Sequence, residues 1–529
     1  MPMPMPRSAS ASNVLPDRAS QEVELKLLLA PSDVPAFRVA VAARLPSEGA
    51  KPQVSRLHTT YFDTDDLALR ARHIELRIRR HGRRWIETLK TTEPPGTGLY
   101  RRGEWEAPVA GLRPALAPLC AQLEADSPWS RALSEPGLAE RLVPVFEASV
   151  RRSSWTLSQL DGSRIEMTLD EGELRCGDRR APICEVELEL KAGNASALFD
   201  IALQLQDAVP LRLGHLGKAD RGYALNANAR SEAVVAKPVE LPRDVSIDQG
   251  LRIIVRSCLA QLWGNEDGVM EGADPESVHQ MRVGVRRLRS ALRVFARAVP
   301  TPAFLGGELR WLSAELGAAR DAEVFSVETL PSLTAVSGSD ARWTQLLRTA
   351  STSAQRHRQR AAQALASHRY ARLSLGLAVW MECSEWRTAL DKKGRKVLGR
   401  ALRPYAFAVA KRLHHELRDA GRGLACARPE QRHKVRIAAK RLRYATDFFR
   451  SLYPAKSVKR YIKRLAALQD VLGQLNDAVV AKRLFGELVE AERGLAPAAA
   501  AASQQLDDRT TGAVPAVQKC WKDFRHSTL

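Results

Sequence analysis

Charged residues recur at every second position in several short segments of the first 230 residues. The runs are Glu22, Glu24 and Lys26; Glu75, Arg77 and Arg79; Arg102, Glu104 and Glu106; and Glu185, Glu187, Glu189 and Lys191. Successive side chains of a strand point to opposite faces, so each run places its charges on one face and apolar residues on the other. A single run of this kind indicates only the wet face of an antiparallel sheet. Four runs that carry both signs of charge predict a closed barrel with an ionic lumen and an apolar exterior.

Eight segments have the alternation and the β-branched or aromatic content of strands. They are residues 22–29, 54–62, 73–80, 84–91, 100–107, 145–157, 163–170 and 182–190. Helical spacing of apolar residues appears at 34–44, 112–126 and 195–208. We therefore expect an eight-stranded antiparallel β barrel, or tunnel, whose outer face is covered by helices.

The second half of the chain has helical spacing almost throughout, which predicts an all-α bundle and an α+β multidomain protein. Pro238 and Pro242 resist both helix and central strand, so they indicate a linker. The predicted division is a disordered tail at 1–19, a barrel domain at 20–230, a linker at 231–246, a helical domain at 247–495 and an Ala-rich C-terminal tail at 496–529.

The helical half contains an internal repeat. The segment that starts at His279, HQMRVGVRRLR, aligns with HKVRIAAKRLR, which starts at His433, 154 residues later. Downstream, LGAARD at Leu316 aligns with LGQLND at Leu472. A two-helix unit therefore occurs twice, and the duplication predicts two bundles related by a pseudo-twofold axis.

Each copy of the repeat carries a basic stripe along one face of its predicted helix. At 100° per residue, the charged residues of the first copy fall within an arc of about 80°. The stripes are His279, Arg282, Arg286, Arg289 and Arg293 in the first copy, and His433, Arg436, Lys440 and Arg443 in the second. One basic stripe is typical of a solvated surface. Two stripes brought together form a groove of like charge, which favours binding of a polyanion.

The excess of positive over negative charge is confined to this half. Residues 1–240 hold 32 Lys and Arg against 32 Asp and Glu, whereas residues 241–529 hold 49 against 28. This distribution favours an anionic partner for the helical domain. Seven cysteines without a CxxC pair argue against a disulfide framework and a zinc finger, and they indicate a reducing cytosol. The Met-Pro repeat at the start lacks the features of a signal peptide, and no apolar run approaches the length of a membrane-spanning helix.

The charged strands resemble the CYTH domain of the triphosphate tunnel metalloenzymes. Its opening signature Glu-x-Glu-x-Lys matches Glu22, Glu24 and Lys26. Further matches follow in order: YFDT at Tyr61, LRIR at Leu76, TLK at Thr88, RGEWE at Arg102, LDEG at Leu169, EVELE at Glu185 and KADRGY at Lys218. The helical half resembles a CHAD domain in His279, His433 and the basic runs that follow them. Together the two halves are similar to bacterial CYTH–CHAD inorganic triphosphatases.

This resemblance implies hydrolysis of tripolyphosphate to pyrophosphate and phosphate with Mg²⁺ or Mn²⁺. The implied metal-binding residues are Glu22, Glu24, Glu185 and Glu187, with Glu189 and Asp170 as helpers. The implied phosphate-binding residues are Lys26, Arg77, Arg79, Lys90, Arg102 and Arg152. For the last position, the family spacing selects Arg152, whereas strand parity counted from Glu147 selects Arg151.

The reaction needs no covalent nucleophile, because an in-line water can attack the terminal phosphorus. The sequence leaves the identity of the general base open. Either Glu104 or Glu106 orients the water, or a second metal ion lowers the pKa of the water. Lys218 either shields the leaving pyrophosphate or closes one end of the tunnel. By the same resemblance, the basic stripes bind long-chain polyphosphate, which would place the protein at polyphosphate granules in the cytosol.

Two other functions fit the sequence. In the first, the chain is a non-enzymatic scaffold that binds polyphosphate or nucleic acid. In the second, the tunnel is a hydrolase or a cyclase that acts on an organic triphosphate, such as thiamine triphosphate or ATP. Aromatic residues are sparse and are not interleaved with the basic stripes, which disfavours nucleic acid. No membrane partner is expected, and the sequence leaves the oligomeric state open.

Overall fold

The computed structural model describes residues 21–45, 51–91, 98–229, 231–272, 274–333, 341–424 and 429–527. The predicted tail at 1–19 lies outside the described residues. The chain divides into two compact units, and each is described separately. The barrel unit comprises residues 1–209 and 216–229, and the helical unit comprises residues 210–215 and 230–529.

An eight-stranded antiparallel barrel forms the barrel unit and confirms the predicted fold. Its strands are β1 (Gln21–Leu28), β2 (Gln53–Asp63), β3 (Ile74–His81), β4 (Arg84–Thr91), β5 (Leu99–Val109), β6 (Val143–Ser158), β7 (Arg164–Cys176) and β8 (Arg179–Ala192). Neighbours follow the order β5, β4, β3, β2, β6, β7, β8 and β1. Strand β1 also pairs with β5, with Glu22 opposite Arg102, and this pairing closes the barrel.

Short helices cover the apolar outer face of the barrel. They are α1 (Val34–Arg44), α2 (Ala68–Ala71), α3 (Ala117–Cys120), α4 (Pro128–Leu133), α5 (Leu138–Arg141), α6 (Ser196–Gln206) and α7 (Lys218–Asn226). Leu69, Leu119 and Leu138 from three of these helices pack into one buried cluster with strand residues such as Ile78 and Leu89. Burial of this apolar surface stabilises the barrel and leaves its charged side chains to face inward.

The predicted helices at 34–44 and 195–208 are confirmed as α1 and α6, but a single helix over 112–126 is wrong. Only residues 117–120 form a helix there. Pro114 and Pro118 both lie in the segment, and each lacks a backbone donor and restricts the residue before it. Apolar spacing alone therefore overstated the length of this helix.

One carboxyl lies buried on the outer face of the barrel rather than in its lumen. Glu87 of β4 has 0% of its surface exposed, and its Oε1 accepts a hydrogen bond from the backbone N–H of Ala115 at 3.1 Å. Its Oε2 has no hydrogen-bond partner among the described residues. Burial raises the pKa of Glu87 to about 7, although the Ala115 N–H opposes the shift.

The described part of the helical unit consists mainly of twelve α-helices. They are α8 (Ile247–Trp263), α9 (Glu266–Glu271), α10 (Pro275–Phe295), α11 (Ala303–Val324), α12 (Ala341–Ala366), α13 (His368–Glu382), α14 (Glu385–Thr388), α15 (Lys392–Leu398), α16 (Leu402–Ala420), α17 (Pro429–Phe448), α18 (Ala455–Ala491) and α19 (Ala496–Arg525). Residues 210–215, which include the short strand Arg212–Leu213, also belong to this unit.

The repeated motifs fall on equivalent helices. The first copy lies on α10 and α11, the second lies on α17 and α18, and α10 contacts α17. The Ala-rich segment, which the sequence analysis set apart as a tail, forms α19. Its Ala498, Ala499 and Ala502 are buried against α18 residues such as Leu484 and Phe485.

Candidate active site in the barrel

The lumen of the barrel is a cavity of about 250 Å³ with a largely ionic lining. Its acidic residues are Glu22, Glu24, Glu75, Glu104, Glu106, Glu166, Asp170, Glu187 and Glu189. Its basic residues are Lys26, Arg77, Arg79, Lys90, Arg102, Arg152, Lys191 and Lys218. All four alternating runs therefore face inward, apart from Glu185, which lies just behind the lining and contacts Lys26 and Lys218.

Burial changes along the cavity. At one end Lys26 keeps 2% of its side-chain surface exposed and Glu185 keeps 0%; helix α7 begins there, and Gly217 and Lys218 line the cavity. At the other end Glu106 is exposed and Lys191 keeps 44% of its side-chain surface exposed. The cavity thus has a buried end beside α7 and an open end.

Two ion-pair networks line the cavity, and a contact of 3.8 Å between Glu24 and Lys26 links them. In the first, Glu22 accepts hydrogen bonds from Lys90 and Arg102, each at 2.8 Å. Arg102 also pairs with Glu24, and Lys90 lies 2.9 Å from Glu104. These contacts join β1, β4 and β5 through their charged side chains.

The second network is built around three carboxylates at the buried end. Ligand oxygens of Asp170, Glu185 and Glu187 lie within 4.8 Å of one another, and we call these residues the carboxylate triad. Four cations surround the triad: Lys26, Arg152, Lys218 and Arg221. Among the described residues this is the one group of three or more acidic, His or Cys side chains with a spacing suited to a metal ion.

The neighbouring cations set the charge state of the carboxyls. Burial raises the pKa of Glu22, but Lys90 and Arg102 outweigh it and hold that pKa well below its usual range. Burial also opposes ionisation of Glu187, yet Lys218 and Lys26 hold its pKa well below the ordinary value. For Glu24 burial prevails over Arg102 and Lys26, so its pKa is raised.

The predicted metal-binding set is divided in two by the structure. Asp170, Glu185 and Glu187 come together in the triad, whereas Glu22 and Glu24 belong to the first network. Glu189 lies toward the open end, where it pairs with Lys191 at 2.6 Å. Burial raises the pKa of Glu189, and Lys191 opposes the shift.

The two candidates for the sixth strand are distinguished by their contacts. Arg152 lines the cavity and donates to Asp170 at 2.6 and 2.7 Å and to Glu187 at 2.9 Å. Arg151 keeps 55% of its side-chain surface exposed on the other face, 4.0 Å from Glu171. The count from Glu147 failed because that residue faces outward, and no bulge interrupts the pairing of β6 with β7 between positions 147 and 152.

The two candidates for orienting a water differ in their partners. Glu104 is already paired with Lys90 and Arg77. Glu106 accepts a hydrogen bond from the Thr88 hydroxyl at 3.1 Å, and within the described ranges no cation lies at ion-pair distance from it. Of the two, Glu106 is therefore the carboxylate whose oxygens are not engaged by a cation among the described residues.

Sequence reasoning missed one side of the cavity. Leu57, Thr59 and Tyr61 of β2 line the lumen beside Ala148 and Val150 of β6. These residues form an uncharged strip, because β2 alternates without charged residues at its inward positions. The absence of charge from an otherwise alternating strand was the signal available in the sequence.

The helical unit brings together four of the nine residues of the two basic stripes. Arg282 and Arg286 of α10 lie close enough to Arg436 and Lys440 of α17 to affect their pKa values. Burial, and then Arg286, Arg436 and Arg282, lower the pKa of Lys440 to about 7. Arg282 lies 3.3 Å from Asp321. We call Arg282, Arg286, Arg436 and Lys440 the basic cluster.

The other stripe residues lie apart or at the margin. The imidazole of His279 borders the cluster, and its pKa is lowered by burial and by Arg320. His433 lines a more apolar cavity with Leu472 and Val479. Burial, followed by the charges of Arg293 and Arg310, lowers the pKa of Arg289. Arg443 pairs with Asp447 at 2.9 Å.

No helix in the described part of the chain is both long and apolar enough to cross a membrane.

Comparison with known proteins supports both units. The family model of the CYTH domain matches residues 20–223, and that of the CHAD domain matches residues 253–486. An inorganic triphosphatase of Haemophilus influenzae is 32% identical over 212 residues, which cover 39% of this chain and 55% of the relative. The chain thus matches little more than half the length of that relative.

A solved structure resembles the helical unit. The crystal structure of the CHAD domain from the plant Ricinus communis is 36% identical, with a TM-score of 0.51. The match covers 56% of this chain and 99% of the plant domain.

Proposed function

The chain carries a CYTH domain followed by a CHAD domain, and we propose that it hydrolyses inorganic tripolyphosphate to pyrophosphate and phosphate with Mg²⁺ or Mn²⁺. The observation that carries this proposal is the cavity in which a carboxylate triad lies beside Lys26, Arg152 and Lys218. Such a site offers oxygen ligands for a hard cation and cationic donors for phosphate oxygens in the same small space.

The triad fits a divalent metal by its donor set. Three carboxylates within 4.8 Å are hard oxygen ligands of the kind that Mg²⁺ prefers, and an ammonium already lies among them. Asp170, Glu185 and Glu187 would hold the ion. A bound metal supplies positive charge to phosphoryl oxygens. Glu22, Glu24 and Glu189 remain the other proposed metal-binding carboxylates. Glu24 Oε1 lies 3.8 Å from Lys26 Nζ, which itself contacts two carboxylates of the triad.

The cations of the lumen bind the substrate. Lys26, Arg77, Arg79, Lys90, Arg102 and Arg152 are each proposed to donate to phosphoryl oxygens. Repulsion from Arg77, together with burial, lowers the pKa of Arg79 to about 10. Arg79 is therefore still charged at neutral pH. A triphosphate relieves the repulsion between these two guanidinium groups.

Glu106 orients and deprotonates the attacking water. The water oxygen forms a bond to the terminal phosphorus, and the bond from that phosphorus to the bridging oxygen breaks, so that pyrophosphate leaves. Lys26 and Lys218 at the buried end stabilise the negative charge of the leaving group. Glu104 keeps Lys90 and Arg77 in position through its ion pairs.

Phosphate release from tripolyphosphate with Mg²⁺ or Mn²⁺ tests the activity. Glu22→Ala/Glu24→Ala removes both carboxylates that hold Arg102, and we expect at least about a hundredfold loss of kcat/KM. Glu147→Ala, on the outer face of β6, is the matched control and keeps activity. Equal rates of the double variant and wild type at saturating metal would refute the site.

The substrate class is decided by a panel of tripolyphosphate, thiamine triphosphate, ATP and long-chain polyphosphate, each with Mg²⁺ and with Mn²⁺. Faster turnover of an organic triphosphate would replace tripolyphosphate as the substrate. No turnover of any of them would favour the scaffold.

A second function is proposed for the helical unit, namely binding of long-chain polyphosphate. Among the described residues, the acids that act on the pKa values of Arg436 and Lys440 are Asp321 and Asp477. Burial, followed by repulsion from Arg286, Arg436 and Arg282, lowers the pKa of Lys440 to about 7. A polyanion would remove this repulsion. Binding of this kind would also hold the protein at polyphosphate granules.

Polyphosphate binding is measured on the full chain at fixed salt. Arg286→Ala/Lys440→Ala is expected to weaken binding by at least about tenfold. Lys392→Ala/Lys396→Ala on α15 removes the same charge from exposed positions and serves as the control. If RNA displaces polyphosphate at equal phosphate concentration, selectivity for polyphosphate is refuted.

A further inference from the structure

The ammonium group of Lys218 lies inside the carboxylate triad. Its Nζ is 2.8 Å from Asp170 Oδ2 and 2.9 Å from Glu187 Oε1, and it also contacts Glu185 Oε1. The other surrounding cations contact fewer members of the triad. Lys26 and Arg152 each contact two, and Arg221 contacts one. Lys218 therefore occupies the position at which a metal ion would contact all three carboxylates.

Charge explains why a cation lies there. Three carboxylates within 4.8 Å repel one another strongly in a buried site, and the repulsion is relieved only by positive charge among them. A lysine ammonium is compact and carries three donors, so one group can serve three acceptors. The same space cannot hold this ammonium and a metal ion together, because both need the same oxygens.

We propose that Lys218 is a built-in competitor of the divalent metal: its ammonium occupies the carboxylate triad until an incoming metal ion displaces it. The inference rests on the metal-binding part of the proposed function and adds a role for this residue in controlling metal affinity. In the metal-free protein Lys218 helps Lys26, Arg152 and Arg221 to neutralise the triad.

The displaced part is the side chain and not the helix. Tyr223 of α7 donates a hydrogen bond to Asp63 Oδ2 at 2.9 Å. A Cβ at Gly222 would lie 2.1 Å from the ring of Phe146, so the helix packs directly on that ring. Asp220 accepts a hydrogen bond from the Gly217 N–H at 2.9 Å. With its helix fixed in this way, Lys218 leaves the triad by rotation of its four-carbon stem into the cavity.

Displacement links the metal to the substrate. A metal that binds alone moves the ammonium into a cavity in which Glu22 and Glu104 are already paired with Lys90. A triphosphate in the cavity gives the displaced ammonium new oxygen acceptors, so metal and triphosphate strengthen one another's binding. The metal-free, substrate-free protein is thereby biased against holding a metal ion.

Calorimetric titration of Mn²⁺ into the full chain, without any triphosphate, tests the proposal. We expect Lys218→Met to bind Mn²⁺ at least about tenfold more tightly than wild type, because a competitor and a nearby positive charge are both removed. Lys218→Arg keeps a cation and is expected to show no such gain. Lys51→Met, at an exposed position outside the cavity lining, is the matched control for loss of a lysine.

The proposal is overturned if folded Lys218→Met binds Mn²⁺ no more tightly than wild type. Should that variant fail to fold, carbamoylation of wild type by cyanate gives an independent answer by peptide mass spectrometry. Saturating Mn²⁺ is expected to increase labelling of Lys218 and to leave labelling of the exposed Lys51 unchanged. No increase at Lys218 also overturns the proposal. Both measurements omit triphosphate, so they are decided separately from the triphosphatase activity.

Discussion

Replacement of Glu87 by glutamine is expected to remove a loss of barrel stability that develops as the pH rises. The Glu87 carboxyl is buried on the outer face of β4, and one of its two oxygens has a hydrogen-bond donor. Glutamine keeps the same shape and the same acceptor for the Ala115 N–H, and it carries no charge at any pH. The substitution therefore isolates the effect of ionisation at this position.

The sign and size of the pH-dependent change in stability follow from the raised pKa of Glu87. Because the pKa is about 7 in the folded protein and near 4.5 in an unfolded chain, the folded state binds more protons between these values. The stability of wild type should therefore fall as pH rises from about 4.5 to 7 and level off above. The full shift corresponds to a loss on the order of 3 kcal/mol. Burial of the amide that Glu87→Gln introduces offsets part of this gain, so an advantage of about 2 kcal/mol over wild type is expected at pH 8.5.

Urea unfolding of both proteins at pH 5.5 and 8.5 measures the effect, with tryptophan fluorescence as the signal. The difference between the proteins cancels the other titrating groups that they share. Glu147→Gln, which alters an exposed carboxyl of the same barrel, is the control and should show no change with pH. If the free energies of unfolding of Glu87→Gln and wild type differ by the same amount at both pH values, the buried carboxyl is not the cause.

Three further outcomes are expected. Arg152→Ala should lower kcat/KM for tripolyphosphate about a hundredfold, whereas Arg151→Ala should stay near wild type, and equal losses would contradict the assigned faces of β6. Glu106→Gln should lower kcat about a hundredfold with little change in KM, measured by steady-state phosphate release; a change confined to KM would exclude a role in proton transfer. Polyphosphate affinity should fall about tenfold between pH 6 and 8, because Lys440, with its pKa of about 7, loses its proton in this range. Lys440→Arg should abolish this pH dependence, and an unchanged dependence of affinity on pH in that variant would exclude Lys440 as the cause.

The barrel could be predicted because its charge pattern has the period of a strand in four separate runs. Local alternation assigns the faces, and an ionic face with both signs needs an enclosed or ligand-bearing lumen. Glu22, Arg77, Arg102 and Glu187 lie in the cavity for that reason. The duplicated basic segments were equally visible, because a helical stripe is also a local property of the sequence.

Contacts between distant strands could not be predicted in this way. Nothing local indicates that Lys90 pairs with Glu22 and that Lys218 enters the carboxylate triad, because both depend on the strand order and on the position of α7. Parity failed at Arg151 because the count began from Glu147, a charged residue on the outer face. Helical stripes likewise could not reveal that Arg443 has a carboxylate partner of its own while Lys440 has none at ion-pair distance among the described residues.

A lumen with one buried end has a consequence for traffic through the barrel. If the proposed reaction takes place in this cavity, substrate enters and products leave through its open end. The product nearer that end then leaves before the product at the buried end. A long polymer can insert only its tip and cannot thread from one side of the barrel to the other. If tripolyphosphate binds there as proposed, longer chains would be shortened from a terminus, one insertion at a time, and never cut in the middle.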